Sequence, residues 1–202
     1  MSAITENMRP RSIGVFGGSF DPIHNGHLTA ARSVLAALEL DEIIFVPAGN
    51  QWQKQGQTAA THRIAMVKLA TAGEPKFSVS DIDLVRSGAT YTYDTLSELQ
   101  LKHPADKLFF ILGADAAAGL ASWRNAAELL DLAQFVVVSR PGFELMLPEV
   151  AEGRVWVLEI PALDISSTAF RWEASANRSV AGLVPVSVLR YIEENKLYGL
   201  GK

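Results

Sequence analysis

Two histidines three residues apart, His24 and His27, close the run Gly17-Gly18-Ser19-Phe20-Asp21-Pro22-Ile23-His24-Asn25-Gly26-His27. A short apolar run, 13–16, precedes it, and an amphipathic run, 28–40, follows. That order reads as a strand, a tight glycine turn and a helix whose start faces a ligand. A helix N-terminus offers free N–H groups and the positive end of the peptide dipole, so it attracts phosphate. Imidazoles placed there donate hydrogen bonds to oxyanions that gain charge during a reaction. The chemistry these residues suit is phosphate chemistry at the end of the first strand.

An isolated HxGH is more often a turn cap beside a surface histidine. Here Gly17-Gly18 permits close backbone approach, Asp21-Pro22 fixes a turn, and a helix start lies immediately downstream. Histidines at this spacing can share a metal ion, but no third strong ligand stands nearby and zinc needs three or four. Neither a GxxxxGK[ST] loop nor a GxGxxG turn occurs. A second constellation is Ile165-Ser166-Ser167-Thr168-Ala169-Phe170-Arg171. Hydroxyl residues before a helix supply caps, and Arg171 lies one turn on, where a guanidinium could hold polyphosphate through two hydrogen bonds. An ordinary capped helix with a solvated arginine is the alternative.

Both motifs need strands and helices to bring them together. Strand-like segments at 13–16, 42–46, 77–84, 108–112, 135–138 and 155–158 alternate with helical ones at 28–40, 61–72, 93–102 and 123–132. Thr61 can cap the second helix, and Pro185 opens a last one reaching about residue 196. The alternation implies an α/β fold: a doubly wound, Rossmann-like, mostly parallel sheet with helices on both faces. Ligands in such sheets bind beyond the carboxyl ends of the strands, near a topological switch point. The polar segments 17–27, 113–115, 140–142 and 164–171 mostly follow strand candidates and can converge on one cleft.

The chain has 202 residues, 49% of them hydrophobic, which suits one domain spanning 12–200 after a flexible tail, 1–11. Its net charge of −4 argues against a general grip on nucleic acid. The absence of cysteine excludes a thiol nucleophile and a disulfide scaffold, and fits a reducing cytoplasm. No apolar run approaches the roughly 20 residues that span a bilayer.

With these residues on the page, the chain resembles the HxGH nucleotidyltransferases and, among them, the bacterial nicotinate-nucleotide adenylyltransferases. The matching pieces are GGSFDPIHNGHL at 17–28, Val46-Pro47, Lys54, Arg63, Tyr91-Thr92-Tyr93-Asp94-Thr95-Leu96, Gly113-Ala114-Asp115 with Trp123, Ser139-Arg140-Pro141-Gly142, 165–171, and Tyr191-Ile192 with Leu197-Tyr198. They run through the chain in the family's order. Two departures stand out: Gln53 occupies a position where the family often has histidine, and Phe170 one where it has a smaller aliphatic residue.

The resemblance implies adenylyl transfer from ATP to nicotinate mononucleotide, giving nicotinate adenine dinucleotide and pyrophosphate, with no covalent enzyme intermediate. Its implied catalytic residues are His24, His27 and Arg171. Implied ATP and phosphate contacts are Gly17, Gly18, Ser19, Phe20, Gly26, Lys54, Gly113, Asp115, Arg140, Ile165, Ser166, Ser167 and Thr168. Tyr91, Thr92 and Trp123 would hold the mononucleotide, with the Tyr91-Thr92 amides meeting its carboxylate and Trp123 stacking on its ring. Mg2+ would bridge the phosphates with few protein ligands. Plainer roles stand beside these: a helix cap for Asp115, core packing for Trp123, a surface cation for Arg140, a structural position for Arg63. Another HxGH adenylyltransferase, such as one using pantetheine phosphate, or a nucleotide-binding regulator without activity, are the competing functions. Partners beyond the two nucleotides are not implied, and assembly into a homo-oligomer is left open.

Overall fold

The computed structural model describes residues 9–49, 57–142, 144–161 and 165–201. Among them, six strands form one sheet: β1 (Ser12–Gly18), β2 (Glu42–Pro47), β3 (Phe77–Val79), β4 (Lys107–Gly113), β5 (Gln134–Ser139) and β6 (Val155–Glu159). The order is β3-β2-β1-β4-β5-β6, with every pairing parallel. Winding proceeds outward one way from β1 through β2 to β3, then restarts on the other side at β4. The carboxyl ends of β1 and β4 therefore flank the switch point, where a crevice opens.

Successive side chains of a strand point to opposite faces, and here both faces are covered. Phe16 and Phe45 join one core cluster, Val15, Ile44 and Val46 the other. The first face takes α1 (Asn25–Ala37), α2 (Ala60–Thr71), α7 (Ser167–Ser175) and α8 (Val186–Glu194), through Leu28, Met66, Phe170 and Ile192 among others. The second takes α4 (Thr92–Lys102), α5 (Ala114–Ala118) and α6 (Ala126–Leu132), through Leu96, Ala117 and Leu129. Between β3 and α4 lies the single turn α3 (Ile82–Val85). The departure at Phe170 is absorbed in the core, where the ring is fully buried and meets Tyr198 edge-on.

Some local expectations give way to tertiary context. The strand expected over 77–84 stops at Val79, and the chain turns into α3, because Ser80 pairs with Phe45 and the sheet edge then ends. Thr61 lies inside α2; its N-cap is Ala59, which makes no side-chain capping bond. The helix expected from Trp123 starts at Ala126, after a left-handed Asn125 that frees Trp123 and Arg124 to face the crevice. Pro185 is the N-cap of α8 rather than a residue of its first turn. Of the expected N-terminal tail, Arg9 pairs with Asp41 and Arg11 with Glu42; residues 1–8 lie outside the described residues.

Candidate active site

The start of α1 is closed by the two histidines themselves. His24 is the N-cap: its Nδ1 accepts from the His27 N–H at 3.3 Å, while the His27 Nδ1 accepts from the His24 N–H at 3.2 Å. This is a capping box in which imidazoles replace the usual hydroxyl and carboxylate. The rings stack with centroids 3.6 Å apart and planes 23° from parallel. A ring nitrogen that accepts from a main-chain N–H carries no proton, so the neutral imidazole must hold its proton on Nε2. The capping box thus fixes the same tautomer in both rings and leaves two Nε2–H donors for a ligand. Phe20, 1% exposed, packs edge-on against His27 with centroids 5.1 Å apart and lines neither of the two cavities at the switch point; it supports the ring from behind.

Burial lowers the His24 pKa to about 4. Burial, then repulsion from His24, lowers that of His27 well below its ordinary value. Both are neutral donors at pH 7 in the absence of an anion. The unfolded chain takes up the His24 proton below about pH 6.5 while the folded chain resists until about pH 4, so stability falls as pH drops through that window. For His24 alone the loss at pH 4 is about 3 kcal/mol, at about 1.4 kcal/mol per pKa unit. Urea denaturation at pH 7 and pH 4 should show it, and a His24→Asn chain, which keeps a capping oxygen without the titration, should show a shallower decline.

Gly26 has a steric reason. A Cβ there would lie 3.0 Å from the His24 Nδ1 and 3.1 Å from its Cε1. Gly26→Ala should displace the ring by a few tenths of an ångström and lower kcat about tenfold. Alanine is the better helix former, so the melting temperature should not fall, and a variant that loses stability but keeps kcat contradicts this account.

The loop before the histidines is held from several directions. The Arg171 Nη1 donates to the Asp21 carbonyl at 2.6 Å, and the Ser167 hydroxyl donates to the Pro22 carbonyl at 2.9 Å. The Tyr198 hydroxyl donates to the Asp21 carboxylate at 2.6 Å, and the Thr58 N–H donates to its other oxygen. Burial, then the bond to Asp21, pushes the Tyr198 pKa up, so the hydroxyl remains a donor. Arg63 is 2% exposed and donates to three carbonyls: Thr58 at 2.9 Å, Ser19 at 2.7 Å and Gly49 at 3.2 Å.

Two cavities open at the switch point. The smaller, about 370 Å³, is lined by Gly17, His24, Gly26, His27, Gly113, Asp115, Arg140 and Ile165, with Phe16, Ser139 and others. The larger, about 780 Å³, is lined by Gly17, Gly18, Ser19, Tyr91, Thr92, Gly113, Asp115 and Trp123, with Arg124, Asp83 and others. Gly17, Gly113 and Asp115 belong to both, so they form the wall between two compartments. Of the residues expected to contact ATP, Gly26, Arg140 and Ile165 line the smaller cavity alone, whereas Gly18 and Ser19 line the larger one beside Tyr91, Thr92 and Trp123. Ser166, Ser167, Thr168 and Arg171 line neither cavity: Ser166 caps α7 by accepting from the Ala169 N–H, and Arg171 braces the first loop. Lys54 and Gln53 lie outside the described residues.

Sequence reasoning passed over Arg124 and the anchoring role of Tyr198, while its structural reading of Arg63 agrees with the three carbonyls that Arg63 holds. Only for Arg124 was there a local signal, its place beside Trp123. Among the described residues no three His, Asp or Glu side chains gather to hold a metal ion, and no helix is long and apolar enough to cross a membrane.

The parallel sheet thus sets a histidine-capped helix at its switch point, beside the smaller of the two cavities. The cytidylyltransferase-like family model matches residues 15–173. A "Probable nicotinate-nucleotide adenylyltransferase" of Leifsonia xyli subsp. xyli is 50% identical over 96% of this chain and 97% of its own length. A protein of the same name from Mycobacterium tuberculosis is 48% identical over 92% of this chain and 91% of its own length. The chain belongs to the cytidylyltransferase-like family and, within it, to the nicotinate-nucleotide adenylyltransferases. The fold agrees with that of Plasmodium falciparum nicotinic acid mononucleotide adenylyltransferase complexed with NaAD, with a TM-score of 0.77 at 24% identity over 93% of this chain and 97% of that one.

Proposed function

We propose that this protein transfers the adenylyl group of ATP to nicotinate mononucleotide, yielding nicotinate adenine dinucleotide and pyrophosphate for NAD biosynthesis. The observation that carries the reading is a pair of stacked, neutral imidazoles with matched Nε2–H donors, beside the wall that separates two nucleotide-sized compartments. ATP occupies the smaller cavity with its α-phosphate against His24 and His27. The mononucleotide occupies the larger, with its pyridine ring on Trp123 and its ribose hydroxyls near Asp115.

The mononucleotide phosphate is already an anionic nucleophile, so the reaction needs positioning and charge stabilisation rather than a strong base. Its oxygen attacks the α-phosphorus in line as the bond to pyrophosphate breaks. The imidazole donors and the Gly26 N–H in the first turn of α1 take up the charge that grows on the α- and β-phosphate oxygens. Arg171 has donors beyond those bonded to Asp21 and Thr168, and with the amides of 166–168 it holds the departing pyrophosphate. Lys54 and Arg140 would add to that hold. Asp115 is the one carboxylate among the described residues lining the smaller cavity, so it is the side chain that would hold a Mg2+ brought in with ATP. Bound there, the ion supplies neutralisation of phosphate charge. We place the reaction in the cytoplasm, with no nucleic acid or membrane involved.

Purified protein, ATP and Mg2+ should release pyrophosphate with nicotinate mononucleotide and not with pantetheine phosphate. ATP binding without pyrophosphate release from any mononucleotide would replace this reading with a regulator.

A further inference from the structure

We infer that Arg124 reads the carboxylate of the pyridine substrate and sets the preference for acid over amide; the inference rests on the function proposed above. Among the described residues lining the larger cavity, Arg124 is the one cation. The carboxylates on the same wall are differently placed. Asp83 is buried, accepts from the Thr95 hydroxyl and pairs with Arg86 at 3.1 Å, so its charge is spent inside the protein. Asp115 belongs to the wall shared with the smaller cavity, which Arg124 does not line. The larger cavity therefore offers a carboxylate in the wall shared with the smaller one, suited to ribose hydroxyls, and a guanidinium at its Arg124 end.

Three features make the Arg124 end specific for an anion. The guanidinium of Arg124 lies over the Tyr91 ring, 5.0 Å from its centroid. Its Nη1 pairs with Asp94 at 3.0 Å, which fixes it in place while leaving further N–H donors. Tyr91 is the N-cap of α4 and makes no side-chain capping bond, so the first N–H groups of α4 open toward the same space. Asp94 stands in the first turn of that helix and would repel an incoming carboxylate if Arg124 did not neutralise it. A pyridine ring on Trp123, the neighbouring residue, carries its substituent toward this end. A carboxylate accepts from the guanidinium and from the α4 amides at once. A carboxamide brings one acceptor and an N–H2 that meets only donors.

The test is the ratio of kcat/KM for nicotinate mononucleotide to that for nicotinamide mononucleotide, in the wild-type chain, Arg124→Gln and Arg124→Lys. Arg124 has 49% of its side chain exposed, so folding should survive the substitution, and a thermal melt checks it. Arg124→Gln should lower the ratio at least tenfold, the loss falling on the acid while the amide value stays within about twofold. Arg124→Lys, with charge but no fork, should recover part of it. An unchanged ratio, or equal losses for both substrates, overturns the inference while leaving the proposed function standing. No turnover of the acid by the wild-type chain would instead overturn the proposed function itself.

Discussion

His27→Ala should lower kcat by about 10²- to 10³-fold, equivalent to about 3–4 kcal/mol of transition-state stabilisation, with a much smaller effect on ATP binding. The donor it removes is a neutral Nε2–H, held in its tautomer because Nδ1 is committed to the His24 main chain. Charge on the α-phosphate oxygens grows toward the transition state, so this bond strengthens during the reaction, and its loss appears in kcat. The substitution also opens the capping box, which should cost about 1 kcal/mol and a few degrees of melting temperature. His24→Asn separates the two roles: asparagine is a good N-cap, so this variant should keep its stability yet lose turnover. Steady-state kinetics beside thermal melts would resolve them, and near-wild-type turnover in both variants would remove the histidines from the chemistry.

Arg63→Met should destabilise the fold by about 3–5 kcal/mol. Methionine fills much of the space, but it leaves the carbonyls of Ser19, Gly49 and Thr58 without their donor, that of Gly49 in a buried bond and the other two in half-buried ones. It also removes the cation facing the buried carboxylate of Asp21, whose charge offsets the lowering that burial imposes on Arg63. Those carbonyls belong to the loop after β1, the loop after β2 and the approach to α2. The damage should therefore reach the glycine turn and depress kcat as well as the urea midpoint. Arg63→Lys should rescue little, since one ammonium cannot reach three carbonyls spread around a planar fork. A stability change under about 1 kcal/mol would show that water or a shifted backbone replaces these bonds.

The strands at 13–16, 42–46, 108–112 and 135–138 were legible because burial on both faces leaves a short, nearly continuous apolar run. The strand at 77–84 was overread. Alternation of apolar residues there continues past Val79, but pairing ends with the partner strand, and Ile82 reaches the core from a helical turn instead. The place of the histidine pair at a helix start was legible from the glycines before it and the amphipathic run after it. The pair's tautomers were not, because they depend on the two imidazoles capping each other's main chain. Arg171 was read as a ligand of polyphosphate; its bond to the Asp21 carbonyl gives it a supporting role that no spacing discloses.

By itself the sequence determined the class of fold, the strand ends that meet at the crevice and the chemistry suited to that crevice. Those features follow from local patterning: strand and helix periodicities, glycines at a turn, and hydroxyl residues ahead of a helix. Tertiary structure alone decided which side chains line the two cavities, and which polar groups are spent holding the loop. Asp21 and Tyr198 are 177 residues apart in the chain yet share a hydrogen bond. Arg63 and Arg171 are both arginines on helices, and only the packing around each makes one a buried strut and the other a half-buried brace with donors to spare.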